Sequence, residues 1–226
     1  MSEKENLAKN LSKSNSAFAP EPGCAVLPKS RLSLWAAVLA LIGAIGLLGY
    51  QFGDPFFAAP LKYLKVPANA LGLLEALSLL IAAILLFTAR ASGKSLKAPI
   101  LVWTAGTLFG LPFTVYSFLQ YVHQYFLPMA YCTLLMKAVP VIAALFAILY
   151  AFKALKKLPS LIIIGVLLGA VFIAGTYFYF TALLDYPNHP FSPFVYINCG
   201  LILLYYLLFP TGLFLTVLAS KPKAAE

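Results

Sequence analysis

Six stretches of the chain stay apolar without the polar face that a water-exposed element would show. They are Leu32–Gln51, Ala68–Thr88, Pro99–Tyr121, Pro128–Phe152, Leu161–Leu184 and Phe194–Ala219. Each is long enough to cross a hydrocarbon core of roughly 30 Å, which takes about 20 helical residues. Barrel strands are shorter and alternate in polarity, so continuous runs predict helices. The expected fold is an all-α membrane protein, a bundle of six transmembrane helices over residues 32–219. Residues 1–31 and 220–226 read as polar cytoplasmic tails. No apolar stretch precedes Cys24, so neither a signal peptide nor a lipidated cysteine is expected.

Short connections between the runs predict antiparallel neighbours. Three runs begin alike, with "KSRLSLWAAVLALIGAIG", "GKSLKAPILVWTAGTLFG" and "KKLPSLIIIGVLLGAVFIAG", each after a basic cluster. The near-constant interval between Lys29, Lys94 and Lys157 suggests three repeated helical hairpins. The same odd-numbered runs carry small residues four apart: Ala36, Ala40 and Ala44, then Gly106 and Gly110, then Gly165 and Gly169. Such stripes let helix backbones approach closely, and they are expected to pack helices within the bundle.

Composition agrees with the pattern. Of 226 residues, 62% are hydrophobic and 10% charged, with a mean hydropathy of +0.91. A soluble domain of this size could not cover that much apolar surface. The net charge of +9 lies mostly around one set of loops. Basic residues cluster before the first run, between runs two and three, between runs four and five, and after the sixth. The opposite loops carry only Lys62 and Lys65. Cytoplasmic loops retain Lys and Arg, so both termini are expected inside, in the cell (inner) membrane. The cations bracket spans and form no single patch, so nucleic acid is not an expected partner.

Against this background, the ionisable residues inside the runs stand out. Lys137 lies in "CTLLMKAVPVIAAL", and Glu75 in "LGLLEALSLL" is the only acid well inside a run. Each costs about 2.5–3.5 kcal/mol near a helix centre when unpaired. Runs two and four cross in the same direction, which places the two at depths of about 10 and 14 Å. A Glu75–Lys137 pair is therefore within reach, given ordinary helix tilt. Pro140 withholds the amide that would bond the Met136 carbonyl, next to Lys137, and Pro112 and Pro210 do the same elsewhere.

Polar residues gather at the outer ends of runs three to six, among them Gln120, Gln124, Tyr177 and Asn198. An outward-facing polar and aromatic cavity floored by Lys137 and Glu75 accounts for this asymmetry, with aromatic belts as the competing account of the tyrosines. Such a cavity takes a small polar or aromatic solute. No run has a mid-span histidine for haem, and His123, His189 and Asp185 lack metal-site spacing. Cys132 and Cys199 fall at comparable depths without a CxxC motif. No catalytic constellation, cofactor or metal is expected.

In its six spans, inward termini and the small-residue spacing of Ala36, Ala40 and Ala44, the chain resembles the membrane substrate-binding components of energy-coupling-factor vitamin transporters. Two readings follow. One is a solute binding or transport component. The other is a non-catalytic structural or assembly subunit, bound to other membrane subunits.

Overall fold

The computed structural model describes residues 25–52, 65–124, 127–184 and 193–222. Six helices account for most of them: α1 Arg31–Gln51, α2 Pro67–Ser92, α3 Lys97–Gln124, α4 Leu127–Ala151, α5 Lys157–Leu184 and α6 Pro193–Ala219. Among the described residues, α1, α2, α4, α5 and α6 are long and apolar enough to cross a membrane. The 28-residue α3 packs between α2 and α4. The chain is an all-helical protein suited to multiple crossings of a lipid bilayer.

Several helices run past the apolar stretches, because caps end a helix and hydropathy does not. The first begins at a capping box, where Ser30 Oγ accepts from the Ser33 amide and Ser33 Oγ accepts from the Ser30 amide, each at 3.1 Å. The second continues to Ser92 and stops at Gly93, whose φ of 64° suits glycine alone without strain. After α4, Lys153 adopts a φ of 63°, a left-handed conformation that costs a residue with a Cβ about 1–2 kcal/mol. The amides of Ala154 and Leu155 both donate to the Leu149 carbonyl and close that turn.

The helices form a closed ring in sequence order, each against the next, with α6 returning to α1. The α1–α6 seam is the broadest. A Cβ on Gly212 would meet the Ala40 amide nitrogen at 2.8 Å and the Ala36 carbonyl at 2.9 Å. Gly43 lies as closely against the Phe209 backbone, and Gly46 against the Leu201 carbonyl. Small side chains allow this approach, and the gain is dispersion contact that lipid does not supply. Ala40 and Ala44 are fully buried.

The other small-residue stripes face differently. Gly106 and Gly110 both look at α2, through Leu79 and Glu75 respectively. Gly165 stands 3.4 Å from Phe214 of α6, and Gly169 has nothing within 4 Å of the place its Cβ would take. The equivalence that repeated hairpins would require is not visible in where these stripes point.

One end of the ring is tied by the chain termini. Strand β1 (Ala25–Val26) pairs antiparallel with β2 (Lys221–Pro222), and Val26 also bridges Ser95 in the α2–α3 turn. The Leu96 amide donates to the Ala25 carbonyl at 2.9 Å. Arg90 Nε donates to Ser33 Oγ at 3.2 Å, and Lys157 Nζ donates to the Leu218 and Ser220 carbonyls at 2.7 Å each. Those two carbonyls belong to the open end of α6, where a cation also meets the negative end of the helix dipole. Two interhelical turns and both terminal segments therefore share one polar knot.

Candidate functional site

The centre of the ring holds an ion pair. Lys137, ten residues into α4, donates from Nζ to both carboxylate oxygens of Glu75 on α2, each at 2.8 Å. Glu75 is 1% exposed and Lys137 8%. Among the described residues Glu75 is the only acid, so the lysine has one local counter-charge. Taking two ions out of water costs several kcal/mol each, and their attraction in a low dielectric offsets this only with good geometry and further hydrogen bonds.

Those further contacts come from α6. Tyr205 donates its hydroxyl to Glu75 Oε1 at 3.0 Å. The Lys137 ammonium also stands 5.1 Å from the Tyr205 ring centroid and 5.8 Å from that of Tyr206, both within cation–π range. One tyrosine thus serves both ions, the acid with its O–H and the base with its π face. Tyr205 continues an aromatic column through Phe209, at 5.6 Å between centroids, to Trp103 of α3, at 3.9 Å from Phe209. Packing of these rings fixes the hydroxyl that Glu75 uses.

The third wall is backbone. A Cβ on Gly110 of α3 would lie 2.5 Å from the Glu75 carboxyl carbon, so the carboxylate occupies the space a side chain would fill. Within two turns of Gly110, Thr104 and Thr107 satisfy their hydroxyls on carbonyls of their own helix, as Thr114 does at Gly110. They offer the pair no competing donor. The Gly110 stripe position therefore seats an ion as well as a neighbouring helix.

Of the expected site residues, Lys137 and Glu75 are brought together. Tyr177 is 46% exposed on α5. Gln120, Gln124 and Asn198 lie outside the residues whose side chains are described, as do Cys132, Cys199, His123, His189 and Asp185. Tyr205 and Tyr206 were not among the expected residues. Their signal was a pair of hydroxyl-bearing rings in mid-run, far from the interface where tyrosines normally collect. Pro140 is buried one turn from Lys137, and Pro210 stands in the same relation to Tyr206. Each removes a helical donor beside a member of the cluster.

A groove of about 210 Å³ runs between α5 and α6, lined by Leu168, Gly169, Phe172, Tyr206, Leu207 and Thr211. Tyr206 separates it from the ion pair. No protein-family model, curated protein or solved structure matches the chain.

Proposed function

We propose that the protein is a small-solute binding or transport component of the cell membrane, with both termini in the cytoplasm and with Lys137 as the group its solute engages. The observation that supports this is the complete, internally neutral cluster of Lys137, Glu75 and Tyr205 at the middle of the helix ring. Apolar residues of matching volume would hold the same helices together at equal or lower cost. Intramembrane ionisable groups belong by default to ligand or ion pathways. An anionic group on the solute takes over the Lys137 ammonium in this reading. Glu75 then keeps the Tyr205 hydroxyl. Gln120, Gln124 and Asn198 orient the rest of a small polar or aromatic solute.

The groove between α5 and α6 favours a second reading, a non-catalytic subunit that docks a partner helix there. Native mass spectrometry after gentle detergent extraction separates the two. A small molecule that co-purifies with the wild type and is lost from the doubly neutral variant Glu75→Leu/Lys137→Met supports solute binding. Stoichiometric partner proteins without a small molecule would overturn it in favour of the subunit.

A further inference from the structure

The polar knot at the tied end of the ring carries nine basic residues among those described and no acid. Arg90 donates to Ser33 and Ser30, Lys157 to the end of α6, and Lys97 lies over the Phe152 ring at 5.3 Å. Six of the nine, Lys29, Arg31, Lys94, Lys153, Lys156 and Lys221, are exposed to the surroundings of the ring. The terminal sheet and its bridge bring two of them together: Val26 pairs with Lys221 on one side and with Ser95, next to Lys94, on the other.

Their surroundings are those of a bilayer interface. Arg31 is followed within four residues by Leu32, Leu34 and Trp35, the last 59% exposed. Lys153 and Lys156 lie between Phe152, 46% exposed, and Leu158, 69% exposed. Arg31, Lys153 and Lys156 therefore stand beside side chains suited to hydrocarbon. Such a border suits ammonium and guanidinium groups at the depth of lipid phosphates, where an anionic leaflet concentrates negative charge. A soluble polyanion needs no such apolar border.

We propose that this end of the ring is a docking surface for anionic phospholipids, whose phosphates neutralise the six exposed cations and stabilise the knot that joins both chain ends. This holds whether or not the interior cluster binds a solute. The test is the thermal midpoint of the full chain in nanodiscs of phosphatidylcholine alone and with about 30% phosphatidylglycerol, at low and high salt. Phosphatidylglycerol is expected to raise the midpoint by about 5 °C or more at low salt, and less at high salt. Replacing all six exposed cations by Gln should remove that gain and leave the midpoint in phosphatidylcholine unchanged. Lys65→Gln, at the opposite end, should keep the gain. Equal midpoints in the two bilayers would overturn the proposal. So would a Gln variant that retains the preference, or an equal gain in phosphatidylcholine from soluble heparin.

Discussion

Gly110 and Glu75 occupy what would be one residue's space: the carboxylate lies where a Cβ on residue 110 would be. Gly110→Ala therefore forces the acid off its position opposite Lys137. The expected loss is about 1–3 kcal/mol of stability, typical of overpacking, despite the better helix propensity of alanine. Shortening the acid in Gly110→Ala/Glu75→Asp should recover part of the loss. Thermal midpoints of the purified variants in one detergent give the comparison, and an unchanged midpoint for Gly110→Ala would contradict it.

The ion pair predicts strong non-additivity. Lys137→Met or Glu75→Leu alone leaves a buried ion without its partner and should cost about 3–5 kcal/mol. The double variant Glu75→Leu/Lys137→Met removes both ions and should lie close to the wild type. Equilibrium unfolding in mixed micelles measures all four corners of the cycle. Additive losses would mean that the two ions do not depend on each other.

Tyr205 gives a finer test. Tyr205→Phe keeps the ring beneath the Lys137 ammonium and removes only the hydroxyl donated to Glu75. A hydrogen bond to a charged group is worth about 1.5–3 kcal/mol. That loss should appear in the wild type and vanish in the Glu75→Leu/Lys137→Met background, where the hydroxyl has no carboxylate to serve. An equal loss in both backgrounds would assign the effect to packing.

Two glycines inside apolar helices should respond differently to the same change. Gly212→Ala drives a methyl into the α1 backbone and should cost about 1–3 kcal/mol, by the same unfolding measurement. Gly169→Ala meets nothing and should be neutral or stabilising by up to about 1 kcal/mol, from helix propensity. Equal effects would show that the α1–α6 seam is looser than its geometry implies.

Much of this arrangement was legible in the residues. Uninterrupted apolar length marked the helices, because backbone groups in lipid must be satisfied within the element. Direction and depth alone brought Glu75 to Lys137. What escaped was phase: which way a residue looks around its helix. Tyr205 sat in a run that read as apolar throughout, and its role depends on facing α2 and α4. Gly110 and Gly169 share one spacing rule, yet one receives a carboxylate and the other faces open space. A four-residue period records closeness without naming the neighbour. Strand β1 offered no period at all, being two residues long, and its partners lie at the far end of the chain.

The closed ring also sets the order in which the protein can finish assembling. The broadest seam joins the first helix to the last, and ribosomes add about 5–20 residues per second. For on the order of ten seconds, then, α1 rests in the membrane with its alanine and glycine edge bare while the rest of the chain is made. Whatever handles the nascent chain must shield that edge. Only when α6 arrives does the ring close and the terminal sheet form, so Tyr205 reaches Glu75 in the final step of biogenesis.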